Sequence, residues 1–112
     1  LRTREILQKW ETWDVWLTPV MATPPPRVDY LDTLMDDLKE FDRRQASSFG
    51  FTPPFNMTGQ PSLSLPLAQS SGNLPIGMMF TGRYADEATL LRLAGQLEKE
   101  MPWKDRKPPI WN

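Results

Sequence analysis

Residues 62–82 read SLSLPLAQSSGNLPIGMMFTG, and this stretch decides the fold. Leu63, Leu65 and Leu67 alternate with Ser62, Ser64 and Pro66, the period of two that sends successive side chains to opposite faces of a strand. Ile76, Met78, Met79 and Phe80 form a second β-type run between Pro75 and Gly82. Between them, Gln69-Ser70-Ser71-Gly72-Asn73 is a cluster of turn formers. The pattern predicts strands near 62–67 and 76–81, paired as a hairpin with a medium loop. Gly77, inside the second strand, predicts a bulge or a close approach of neighbouring backbone.

Working outward, Asp86 is a good N-cap and Glu87 suits a first helical turn. Leu90, Ala94, Leu97 and Met101 then line one face of a helix that Pro102 ends. The Pro-containing tail from Trp103 to Asn112 has no clear period. Upstream of the hairpin, residues 50–59 are irregular or a short helix opened by Pro53-Pro54, which a first turn tolerates. Leu31, Leu34, Met35, Leu38 and Phe41 make an apolar stripe that predicts a helix over roughly 31–44. Its other face, with Asp32, Asp36, Lys39, Glu40 and Arg43, reads as solvated. Residues 21–29 are loop, because Pro24-Pro25-Pro26 joins neither a helix nor a ladder. Asp14 to Val20 is a β-rich run apolar on both faces, as expected of an internal strand of a covered sheet, with Pro19 stopping it or forcing it to an edge. Residues 2–13, with Ile6, Leu7, Trp10 and Trp13 separated by Arg4, Glu5, Lys9 and Glu11, predict the tail of an amphipathic helix.

The 112 residues make one small α/β unit with a net charge of -1. That charge leaves no basic footprint for a phosphate backbone, and no run approaches the roughly 18 apolar residues of a membrane span. Neither nucleic acid nor membrane is expected as a partner. With no cysteine and no histidine, Ser-His-Asp and Cys-His catalysis and the common metal sites are excluded; no cofactor or metal is expected. The missing thiols fit a cytoplasmic protein. A first residue Leu1 that enters a helical pattern at once, and 12 prolines, suggest a piece of a larger protein.

Chemistry is hard to find in the residues themselves. Asp36-Asp37 are neighbours on a helix and do not face each other, and Asp86-Glu87 suits a helix start. Ser70-Ser71-Gly72 resembles an activated nucleophile only superficially. Serine without histidine needs a lysine of lowered pKa, and Lys9, Lys39, Lys99, Lys104 and Lys107 have no apolar setting to lower it. A polar hairpin loop explains the same letters. Trp10, Trp13 and Trp16 read as core, whereas Trp103 and Trp111 pack against other structure or meet a partner.

Three segments together resemble the amidase-signature family. Asp14-Val15-Trp16-Leu17-Thr18-Pro19 is similar to that family's strand ending in proline. Phe51 to Pro66 (FTPPFNMTGQPSLSLP) resembles its FT-x-P-x-N-x-T-G-x-P-x-x-S-x-P run. Leu74 to Arg83 (LPIGMMFTGR), followed by Asp86-Glu87-Ala88-Thr89-Leu90-Leu91, matches its LPIG and DE-x-x-L pattern, with Met79 where many members carry glutamine. Order and spacing agree over about residues 10–103.

The resemblance implies the C-terminal portion of an amidase domain, built on a large, mostly parallel mixed sheet covered by helices. It implies hydrolysis of carboxylic amide bonds by a Ser–cis-Ser–Lys triad with a backbone oxyanion hole, all carried upstream of this chain, so no catalytic residue is assigned here. The chain is then scaffold and part of the substrate-pocket wall, inactive alone. Its expected partners are the N-terminal catalytic part of the same enzyme and a small-molecule amide; the isolated piece is expected to self-associate through surfaces that part would cover. In glutamine-using members an acidic residue seven positions before the asparagine of N-x-T-G reads the substrate amino group. Here that position is Phe49, which implies a substrate-binding residue suited to an uncharged or apolar amide. The competing reading is a non-catalytic interaction or regulatory module with an amidase-like fold.

Overall fold

The computed structural model describes residues 2–10, 12–108 and 110; the expectations attached to Leu1, Glu11 and Trp111 fall outside them. The order of elements is α1 (Arg2–Lys9), β1 (Val15–Pro19), α2 (Leu38–Ser48), α3 (Pro53–Thr58), β2 (Ser62–Gln69), β3 (Pro75–Gly82) and α4 (Glu87–Glu100). The chain is α/β: three antiparallel strands in the order β1-β3-β2, with helices against both faces.

The hairpin forms where the alternation places it. Ser62 pairs with Thr81 and Leu65 with Met78, and the register then slips between Leu65 and Ala68. Pro66, which has no N–H to give the ladder, sits inside that slip. The loop closes by a Ser70 N–H donating to Leu74 O at 2.9 Å, with Asn73 in the left-handed region at φ 60°. Asn tolerates this conformation better than most residues. β1 joins β3 on its other side, Val15 opposite Gly82 and Thr18 opposite Met79.

Hydrogen bonding alternates along an antiparallel pair, so two observed bonds set the direction of the rest. Val20 N–H donates to Gly77 O at 3.0 Å. The backbone groups of Trp16 and Thr18, in step with Val20, therefore point at β3, and those of Val15, Leu17 and Pro19 point away from it. Gly82 N–H donates to Pro61 O at 3.0 Å, which turns Leu63 and Leu65 toward β3 and Ser62 and Ser64 outward. Pro19 is compatible with a strand because its nitrogen faces outward.

Each sheet face has its own core. On one, Trp10, Phe55 and Met79 are buried, with Ile6, Val20 and Phe51 against them. Trp16 joins this face with its ring 5.7 Å from that of Trp10 and 6.0 Å from that of Phe55. On the other, Leu65, Phe80 and Leu90 are buried under α4, with Leu93, Ala94, Leu97 and Trp103 packed around them. The i, i+3, i+4 and i+7 spacing from Leu90 brings these side chains to one side of α4. Asp86 caps that helix by accepting the Thr89 N–H at 3.3 Å, a bond that lowers its carboxyl pKa.

Three expectations are corrected. The helix placed over 31–44 begins only at Leu38 and runs to Ser48. Asp32 Oδ1 accepts the Leu34 N–H at 2.9 Å, and Asp37 Oδ1 accepts those of Lys39 and Glu40 at 3.0 and 3.1 Å. Such side-chain bonds compete with helix before a helix and cap it at its start. The stripe is not a buried seam either, since Leu34 and Leu38 are exposed. The first helix stops at Lys9, not at residue 13, and Trp10 is in the turn after it. Lastly, β1 is an edge strand of this sheet, with Trp16 and Leu17 exposed, rather than an internal one.

Candidate functional site

The turn that carries the family resemblance is built from polar groups turned inward. Pro53 and Pro54 open α3, where missing N–H groups do no harm, and Gly59 ends it at φ 70° with its N–H on Phe55 O at 2.9 Å. Gln60 follows, buried, its Nε2 donating to Gly82 O at 2.9 Å across 22 residues of sequence. Ser62 Oγ and Thr81 Oγ1 share a hydrogen bond of 2.8 Å on the next rung. These bonds fasten the turn to the end of β3. Arg83 extends the fastening to the N-terminal side. Its Nε donates to Trp10 O at 3.2 Å and Trp13 O at 3.0 Å, and its guanidinium pairs with Asp14 at 2.9 Å.

At the opposite end of β3 lies a cavity of about 320 Å3, walled by Pro19, Val20 and the loop to Pro25 on one side and by Ser64, Ile76 and Gly77 on the other. Apart from Ser64 and Thr23 its side chains are apolar, which suits a hydrocarbon portion of a small molecule. Gly77 is essential to its floor. A β-carbon there would lie 2.9 Å from both Ser64 Oγ and Val20 Cγ2, so the close approach expected of this glycine is present.

Phe49 stands at the C-terminal end of α2, half-exposed, its N–H on Gln45 O at 3.0 Å. It does not line the cavity, yet its neighbour Ser48 is fully buried and its carbonyl accepts the Ala22 N–H at 3.1 Å. That bond couples the Phe49 corner to the cavity loop. Ser70 is a turn residue: its Oγ accepts from Gly72 N at 3.3 Å and Leu74 N at 3.1 Å. Lys39, Lys99, Lys104 and Lys107 are all exposed, without the desolvation that turns lysine into a base. Of the tryptophans, Trp10 is core, Trp13 and Trp16 are half-exposed beside it, and Trp103 packs on α4.

Sequence reasoning missed Arg83 and the cavity. Arginine after a strand is unremarkable until the turn it reaches, 70 residues earlier, is in place. The cavity was partly signalled, by the proline run and by a glycine inside a strand.

A two-faced α/β layer with an N-x-T-G turn clamped to a β-hairpin is the architecture of an amidase segment. The chain belongs to the Amidase family, whose profile matches residues 1–91. AmiC of Mycobacterium leprae, named as an amidase, is 47% identical over 92 residues, covering 82% of this chain and 19% of that protein. The 6-aminohexanoate-cyclic-dimer hydrolase of Paenarthrobacter ureafaciens is 34% identical over 111 residues, covering 92% of this chain and 22% of that one. A solved structure of 6-aminohexanoate cyclic dimer hydrolase superimposes with a TM-score of 0.85 at 32% identity, over 98% of this chain and 24% of that chain. A crystal structure of glutamyl-tRNA(Gln) amidotransferase from Thermotoga maritima gives 0.68 at 26% identity, over 93% of this chain and 21% of that one. The chain thus spans about a fifth of the length of the curated relatives it matches.

Proposed function

We propose that this chain is the C-terminal scaffold and pocket-wall segment of an enzyme that hydrolyses carboxylic amide C–N bonds. The observation that carries the reading is the family match over residues 1–91 together with the clamped Asn56–Pro61 turn that leads into β2. The nucleophile, its base and the oxyanion donors belong to the polypeptide outside this chain. Here the serine closest to a nucleophile pattern is engaged in a turn, and Lys39, Lys99, Lys104 and Lys107 lie in solvent. Alone, the chain has no turnover.

The substrate is a small uncharged or apolar amide. Phe49 offers no charge to read an amino group, and the cavity walled by Val20, Ile76 and Gly77 is suited to methylene groups. Likeness to a hydrolase named for a cyclic 6-aminohexanoate dimer favours the same substrate class. No helix among the described residues is long and apolar enough to cross a membrane, and we place the enzyme in the cytoplasm.

The test is turnover by the whole enzyme on a panel of aliphatic, aryl, cyclic and amino-acid amides. Apolar and cyclic amides are expected to outrun glutamine in kcat/KM. Phe49→Asp is expected to move that ratio toward glutamine by about tenfold or more, the scale on which one polar interaction discriminates between substrates. An unchanged ratio removes Phe49 from the substrate site, and no turnover on any amide overturns the activity.

A further inference from the structure

The two outer edges of the sheet differ in kind. β2 presents Ser62 and Ser64 outward and then breaks at Pro66, where the register slips and Arg106 donates to the Pro66 carbonyl at 2.8 Å. Proline, an irregular register and a covering side chain are the devices by which an edge is closed to further pairing. β1 has few of them. It presents the N–H and C=O of Val15 and Leu17 from the uncharged run Val-Trp-Leu-Thr, and only Pro19 at its end lacks a donor. Its side chains are uncovered on both faces. Trp16 is 43% exposed on the α1 and α3 side, and Leu17 is 51% exposed on the α4 side. An open, apolar, flat edge of this kind is a template for another strand.

We infer that β1 is an interior strand of the assembled enzyme, with an extended, apolar segment from the remaining polypeptide of the same amidase hydrogen-bonded to the outward groups of Val15 and Leu17. The inference rests on the reading of this chain as part of a larger amidase. The length of the relatives argues for this occupant: the chain accounts for 19–24% of their chains, so three-quarters or more of such a protein lies elsewhere. Pro19 limits the pairing at one end, since it has no N–H to offer. The added strand carries apolar side chains on both sides, because Trp16 on one face and Leu17 on the other both lack cover.

Residue-resolved amide hydrogen exchange on the whole enzyme tests this, with amide turnover measured on the same sample. The Val15 and Leu17 amides, which have no acceptor on β3, are expected to be slowed by at least about a hundredfold relative to unprotected amides, in line with Trp16 and Thr18. Exchange at unprotected rates at Val15 and Leu17, with Trp16 and Thr18 still slow, overturns the inference. So does protection that vanishes on dilution, which assigns the edge to a second copy of the protein. Turnover with unprotected amides sinks this inference alone; protection without turnover sinks the functional reading alone.

Discussion

The Val20 N–H donates to the Gly77 carbonyl at 3.0 Å, while the Val20 side chain fills the space a β-carbon on residue 77 would need. One residue thus both extends the β1–β3 ladder and forbids any side chain opposite. Gly77→Ala forces Val20 and Ser64 apart, each 2.9 Å from the new carbon, and is expected to cost about 1–3 kcal/mol as overpacking. Gly95, inside α4 with nothing near its missing side chain, is the control. Gly95→Ala is expected to gain about 0.5–1 kcal/mol from helix propensity. Denaturant midpoints of the two variants check the opposite signs.

Leu90 is the buried contact of α4 with β3, and its Cγ lies 3.2 Å from where a Gly82 β-carbon would be. Leu90→Ala leaves a cavity between helix and sheet and is expected to cost about 2–5 kcal/mol. Leu91, one position on and exposed, is expected to tolerate alanine within about 0.5 kcal/mol. A larger loss at Leu91 than at Leu90 in equilibrium unfolding would refute the packing of α4.

Asp37 and Asp36 are adjacent acids with different work. Only Asp37 has its side chain on the first turn of α2, accepting from Lys39 and Glu40. Asp37→Ala is expected to lose about 1 kcal/mol and to fray the start of α2, seen as faster exchange of the Lys39 and Glu40 amides. Asp36→Ala should leave those amides unchanged.

Glu40 receives both arginines that follow it. Arg43 binds through Nε at 2.7 Å and a terminal nitrogen at 2.8 Å, and Arg44 binds through Nε at 2.8 Å. The Arg43 bonds first and the Arg44 bond second hold the carboxyl at about 2, below its ordinary 4.5. A depressed folded-state pKa means the stabilisation is complete above about pH 4.5 and is lost as pH falls toward 2. Glu40→Gln is expected to flatten the acid limb of the stability curve over that window, more so at low salt, because the pair is solvent-screened. The Glu40 carboxyl carbon shift, followed by NMR titration, reads the pKa directly.

The misplacement over 31–44 shows where pattern reading falls short. The stripe from Leu31 to Phe41 has helical spacing, but spacing alone does not weigh the carboxylates among those residues. Asp32 and Asp37 bond to backbone N–H groups two or three positions ahead, so the chain turns before it coils. Arg44 holds that turn, donating to Tyr30 O at 3.0 Å with its guanidinium over the Tyr30 ring. The site was readable to a similar depth. Gly77 advertised a close approach, but the loop that makes it, about 55 residues earlier, could not be named from spacing.

Taken alone, the residues determined what depends on near neighbours: the hairpin from its period of two, α4 from the Asp86 cap and the Pro102 stop, and the short α3 from two prolines and Gly59. Each is settled by bonds spanning a few positions, and the local pattern records them. Tertiary structure alone decided that β1 takes the sheet edge, that Trp10 is buried while Trp13 and Trp16 stay half-exposed, and that Arg83 pins the α1–β1 turn. Those outcomes join groups about 60 to 70 residues apart, and such pairings are chosen by packing competition across the whole fold, which no local period encodes.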